Sequence, residues 1–176
     1  HWVAILFIAT LFFSFTDSQI SSRLQKKIDT AIIATFQIDT FVLQHLPVET
    51  KLNDATPAPL GGTSLFEIHS EREKIGYLYL GEAPSMKRKF DYIVMFNPDL
   101  SIKKSKVLIY REDYGKQIGS QRWLKQFIGL SSDDIPSYGE NIDAISGATI
   151  SASSMTKAIA DVLKGIDILK QKQILP

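Results

Sequence analysis

Apolar positions along the chain change period several times, and each change predicts an element. From Trp2 to Phe15 the run WVAILFIATLFFSF carries no charge and almost no polar residue. It is short for a membrane span, which needs about 20 apolar residues, and matches the 7–15 of a signal-peptide core. No small-x-small cleavage site precedes Asp17, so residues 1–16 are expected to be an uncleaved anchor. A signal-type segment and a buried core helix are the alternatives. Leu24, Ile28 and Ile32, with Phe36 at the end, then repeat at helical spacing among Arg23, Lys26 and Lys27, which predicts an amphipathic helix leaving the membrane. The stretch from Pro47 to Ser64 is rich in Pro, Gly, Thr and Asp, and predicts a linker before the folded body.

The pattern then shortens. Leu65–His69, Ile75–Leu80, Asp91–Phe96 and Ile102–Tyr110 are apolar, aromatic runs separated by charged or turn-forming residues, and read as strands of an antiparallel sheet. Between the last two, Asn97-Pro98-Asp99-Leu100 has type I turn chemistry, because Pro presets φ at the second position and Asn can cap the turn. Trp123/Phe127 and Leu124/Ile128 pair at i, i+4, predicting a short helix with Ser120 as its cap and Gly129 at its end. Met155, Ile159, Val162, Leu163 and Ile166 form the stripe of a last helix, followed by the Lys170–Lys172 tail. The expected fold is α+β: a small, largely antiparallel sheet packed with helices behind an N-terminal membrane helix. The domains are residues 1–16 (anchor), 17–63 (amphipathic helix and linker) and 64–176 (the folded domain).

Composition narrows the chemistry. The 176 residues hold 20 Lys+Arg against 19 Asp+Glu, a balance that argues against nucleic-acid binding. Cysteine is absent, which excludes disulfides, thiolate zinc sites, iron–sulfur clusters and attached c-type haem. His1, His45 and His69 are too scattered for a histidine metal cage, and no metal site is expected. Neither His45 nor His69 lies in a nucleophile context and no G-x-S-x-G occurs, so a hydrolase is not supported. Gly61-Gly62 lacks the spacing of a dinucleotide fingerprint. Redox chemistry here requires an organic cofactor or a partner.

Candidate chemistry concentrates before the last helix, in Asp143-Ala144-Ile145-Ser146-Gly147-Ala148-Thr149-Ile150-Ser151. Ser146, Thr149 and Ser151 place hydroxyls beside a helix N-terminus, where unpaired N–H groups and the dipole favour an anion. Gly147 and Ala148 remove bulk, so a phosphate can approach the backbone. The same residues also make an ordinary Ser/Thr-rich cap with a Gly turn.

The order D-x-x-S-G-A-T resembles the flavinylation motif of the FMN-binding domain family, which includes covalent-flavin subunits of Rnf-type complexes and of sodium-translocating NADH:quinone reductase. The resemblance implies FMN joined by a phosphoester to Thr149, with Ser146, Gly147 and Ala148 along the phosphate and Asp143 opening the motif. It further implies that Glu112 and Gly115 match the family's E-T-P-G-x-G stretch near the flavin ring. Asp113-Tyr114 replaces Thr-Pro there, and the second Gly is displaced to Gly119. Tyr114, Trp123 and Tyr138 are candidates to stack on the ring. Lys87-Arg88-Lys89 and Lys103-Lys104-Ser105-Lys106 either steer an acidic partner or blunt strand edges.

The expected function is electron relay by a membrane-anchored flavoprotein, a subunit of a redox complex rather than a stand-alone enzyme. Its expected partners are other redox subunits, a flavin transferase for maturation, and membrane lipid through residues 2–15. The alternative is an accessory subunit that keeps the fold without flavin. Arg23, Lys26 and Lys27 favour a cytoplasmic side for the chain beyond the anchor, whereas the resemblance implies the extracytoplasmic or periplasmic face.

Overall fold

A computed structural model describes residues 20–176, so the expected anchor at 1–16 lies outside the described residues. Among the described residues, no helix is long and apolar enough to cross a membrane. The architecture is α+β, as expected: a five-stranded antiparallel meander with helices on both faces. Its strands are β1 (Val42–His45), β2 (Leu65–Ser70), β3 (Glu73–Pro84), β4 (Lys89–Phe96) and β5 (Ile102–Ile109), and their order in the sheet equals their order in the chain.

The continuous apolar run of β4 has a structural reason, because both of its faces are covered. Tyr92, Val94 and Phe96 face one core, packed under the long helix α4 (Thr149–Gln171). Ile93 and Met95 face a second core, closed by α1 (Ser22–Phe36) through Ile28, Ala31 and Ile32. The amphipathic stripe read in 24–36 is thus used against the sheet. At its start, the Ser21 hydroxyl accepts a hydrogen bond from Leu24 N–H at 3.3 Å.

The stretch expected as a linker is instead packed. It opens on a helical turn, α2 (Thr50–Asn53). The Asn53 side-chain oxygen accepts from the N–H groups of Leu60 and Gly61 at 2.7 and 2.8 Å, closing the loop on itself. Leu60 is fully buried against Gly165 of α4, where a Cβ would stand only 2.7 Å from it. Pro and Gly here shape a fixed loop. Upstream, β1 pairs with β2 and was not expected, because its own residues are mostly exposed and carry no alternating signal.

The Asn97–Leu100 turn forms as read, with Leu100 N–H donating to Asn97 C=O at 2.9 Å. Asp99 closes it by accepting from both the N–H and the hydroxyl of Ser101, which holds its carboxyl below the usual range. The short helix is shorter than its spacing suggested. Helix α3 (Gln121–Leu124) passes into a 3-10 turn at Lys125–Phe127, Ser120 makes no side-chain cap bond, and Ile128 is exposed. Trp123 and Phe127 still meet edge to face, 5.3 Å between centroids.

Candidate functional site

Helix α4 begins with its end open. Gly147 at φ +77° turns the chain into the helix, a conformation that glycine adopts without steric cost. The cap position is Ala148, which has no side chain to offer, and no side-chain cap bond forms. The first helical backbone bond runs from Ala152 N–H to Ala148 C=O, so the N–H groups of Thr149, Ile150 and Ser151 have no partner among the described residues. Three free donors at the positive end of a 23-residue dipole form an anion cradle, with the Thr149 hydroxyl on its rim.

Facing this helix end are the β3–β4 hairpin loop and the segment after β5. Together they enclose a cavity of about 300 Å³. Its polar wall is a hydroxyl cluster: Ser85 and Ser151 Oγ lie 2.6 Å apart, and Tyr110 Oη lies 2.8 Å from Ser151 Oγ. Tyr110 Oη also lies within hydrogen-bond distance of the Tyr114 carbonyl, at 2.9 Å. Gly115, at φ +83°, makes room for that phenol, because a Cβ would stand 2.6 Å from Tyr110 Oη. The mouth is apolar: Met86, Tyr114 and Ile150 line it and are 69%, 86% and 48% exposed.

Glu112 ties the two loops together. One carboxylate oxygen accepts from the backbone N–H groups of Lys87 and Arg88, at 2.6 and 2.8 Å. These two bonds, with the nearby positive charges, hold its carboxyl below the ordinary value of 4.5. Glu112 therefore fixes the hairpin tip that carries Ser85 and Met86 into the cavity.

Seven of the residues singled out from the sequence line this cavity: Thr149, Gly147, Ala148, Ser151, Glu112, Tyr114 and Gly115. Asp143 and Ser146 do not line it. Asp143 contributes backbone, its N–H bonding Gln126 Oε1 at 2.9 Å and its carbonyl accepting from Trp123 Nε1 at 2.7 Å. Trp123 is buried with its indole N–H used, and the Tyr138 hydroxyl accepts from Ile145 N–H at 3.2 Å. Both aromatics brace the 143–147 loop, and neither lines the cavity. Of the stacking candidates, Tyr114 alone is placed at the opening. Ser85, Met86, Tyr110 and Ile150 were not singled out. The turn at Pro84–Lys87 was the available signal for the first two, since a loop between strands must meet whatever covers the sheet's end.

The basic clusters divide. Lys89 pairs with Glu82, and Lys103 lies over the Phe36 ring at 5.2 Å, so these lysines cover the sheet. Lys87 and Arg88 form no ion pair among the described residues and flank the cavity through Met86. No group of three or more His, Asp or Glu among the described residues is placed to hold a metal ion.

Comparison with known proteins agrees with the site's chemistry. Residues 86–164 match the model of the FMN-binding domain family. The match contains the D-x-x-S-G-A-T run, the Glu112–Gly115 segment and most of the cavity lining. Among solved structures, the chain is similar to NqrC of Shewanella oneidensis, with a TM-score of 0.56 at 15% identity over 85% of this chain and 99% of that one. At that identity the likeness is one of fold. No curated protein matches the chain.

Proposed function

Because residues 86–164 match the model of the FMN-binding domain family, we propose that this chain is a flavoprotein subunit relaying electrons through FMN joined by a phosphoester to Thr149. The observation that carries this reading is the uncapped start of α4, which leaves three N–H donors beside the Thr149 hydroxyl. FMN fits the residues present. Its phosphate would meet the amides of Thr149, Ile150 and Ser151, and Gly147 would let it approach the backbone. The flavin ring would enter the cavity below Met86 and Tyr114, beside the Ser85–Tyr110–Ser151 hydroxyls.

Bound FMN supplies one- and two-electron transfer, and the protein supplies position and electrostatics. An ester at Thr149 keeps the cofactor from diffusing away. Glu112 holds the loops in place, and the unpaired Lys87 and Arg88 favour an acidic redox partner at the mouth. In this reading residues 2–15 anchor the chain in lipid, the folded domain lies outside the cytoplasm, a flavin transferase matures it, and its donor and acceptor are other subunits of a membrane redox complex.

The test is the intact mass of the chain isolated from its native membrane under denaturing conditions. A gain of one FMN less one water, mapped to the peptide holding Thr149, is expected. An unmodified chain from cells that contain the transferase would overturn the covalent assignment and favour an accessory subunit without flavin.

A further inference from the structure

The polar wall of the cavity is a chain of hydroxyls whose protons can be counted. Ser85 Oγ lies 2.6 Å from Ser151 Oγ, Ser151 Oγ lies 2.8 Å from Tyr110 Oη, and Tyr110 Oη lies 2.9 Å from the Tyr114 carbonyl oxygen. Each of these three contacts needs a proton between its oxygens, and the three hydroxyls hold three protons. A carbonyl only accepts, so the Tyr110 proton goes to Tyr114. The Ser151 proton must then serve Tyr110, and the Ser85 proton must serve Ser151. One direction therefore satisfies every short contact: Ser85 donates to Ser151, Ser151 to Tyr110, and Tyr110 to the Tyr114 carbonyl. Turning the Ser85 proton outwards would set two oxygens lone pair against lone pair. The remaining side, from Ser85 to Tyr110, is the longest at 3.2 Å and needs no proton of its own.

The chain is fixed along its length. Ser85 N–H donates to the Arg88 carbonyl at 2.8 Å, within the hairpin tip that Glu112 clamps. Ser151 is buried on the first turn of α4, and Gly115 leaves the room that the Tyr110 phenol occupies. At the head, Ser85 spends its proton, receives none from a described residue, and lines the cavity. Donation along such a chain polarises it and strengthens the head oxygen as an acceptor. The cavity thus has two walls of opposite sense. The amides of Thr149, Ile150 and Ser151 give protons, and the Ser85 oxygen takes one. Ser151 belongs to both walls, with its N–H in the cradle and its Oγ in the chain, so the acceptor stands close to the anion.

We propose that Ser85 is a specificity-determining acceptor, taking a proton from a ligand hydroxyl a few bonds away from the bound phosphate. The site then selects phosphorylated polyols over phosphate esters that offer only acceptors, whose oxygens would meet the Ser85 lone pairs. The inference rests on the reading of this site as a phosphate cradle for FMN and deepens it, because the ribityl chain next to the FMN phosphate carries such hydroxyls.

The flavin-free full chain, made in cells without the transferase, is titrated with inorganic phosphate, ribitol phosphate and methoxyethoxyethyl phosphate. The last has similar reach and only accepts. Backbone amide shifts of Thr149, Ile150 and Ser151 are followed by NMR. Ribitol phosphate is expected to bind with a dissociation constant on the order of 1 mM. It should bind about three- to tenfold more tightly than the ether, the effect of one hydrogen bond. Ser85→Ala is expected to erase that preference and to bind inorganic phosphate as the wild type does. The ether binding as well as the polyol would overturn the proposal, as would a preference that survives in Ser85→Ala. The wild-type comparison decides the matter even where the variant is poorly folded. If FMN mass is found at Thr149 and the polyol preference is absent, only the role of Ser85 falls. If inorganic phosphate also leaves the three amides unmoved, the phosphate cradle falls with it.

Discussion

The two long helices begin in opposite ways. At α1, Ser21 supplies the side-chain oxygen that a bare helix end lacks, bonding Leu24 N–H. At α4, the cap is an alanine, the preceding residue is a left-handed glycine, and three amides are left without partners. A serine cap is worth about 1 kcal/mol over alanine, so the sequence forgoes stabilisation at one helix and takes it at the other. Both helices lie against the same sheet, so packing does not explain the difference. What differs is the helix end itself: α1 is closed by its own serine, whereas α4 turns three unpaired amides towards the cavity, where the proposed function places the FMN phosphate.

The sharpest way to break this comparison is Thr149→Val. It removes the hydroxyl and leaves the amides, and is expected to abolish the flavin mass increment completely while circular dichroism and melting of the flavin-free chain stay unchanged. Flavin retained at full stoichiometry would place the attachment elsewhere. Closing the far wall comes next. Gly115→Ala puts a Cβ at φ +83° and 2.6 Å from Tyr110 Oη, and is expected to destabilise the chain by about 1–2 kcal/mol in urea unfolding. Opening the closed helix is smaller: Ser21→Ala should lower stability by about 1 kcal/mol with flavin loading untouched. Equal loss of flavin in this variant would show that the two helix ends are not functionally distinct.

The smallest effect concerns Glu112. Its carboxyl is depressed by the N–H groups of Lys87 and Arg88, so the stabilisation it gives the hairpin is present above 4.5 and is lost as pH falls through the lowered value. Hydrogen exchange at Lys87 and Arg88, taken relative to its intrinsic rate at each pH, should therefore rise on acidification below that range. In Glu112→Gln it should be faster at neutral pH and lose this dependence.

The sequence made some of this visible and hid the rest for physical reasons. Strands β2 to β4 were legible from their apolar, aromatic runs, continuous in β4 where both faces are covered, β5 from the turn before it and its Val107–Ile109 end, and α4 because one stripe from Met155 to Ile166 meets the sheet. β1 was not, since Val42 and its neighbours gain their place from pairing with β2 and not from burial. The packed 47–63 loop was misread because Asn53 closes it through a side-chain contact seven and eight residues away, which composition does not register. At the site, residue order singled out Thr149, Gly147 and Ala148. Ser85 and Tyr110 enter through Ser151, at separations of 66 and 41 residues, and local reading carries no trace of such contacts. Asp143 and Ser146 were legible as part of a motif, yet the cavity is lined without them.

Strand order in the sheet follows chain order without a crossover, and this has a consequence for how the molecule is made. Each new strand docks on the one just completed, so the sheet can assemble from neighbouring hairpins, the kind of topology that folds quickly. The helix that completes the cavity comes last, from residue 149 onward. During synthesis the strands, the hairpin tip and Glu112 all emerge before Thr149. Under the proposed function, timing then guards the site: a half-made chain has no hydroxyl to modify, and Thr149 arrives with the helix that completes the core.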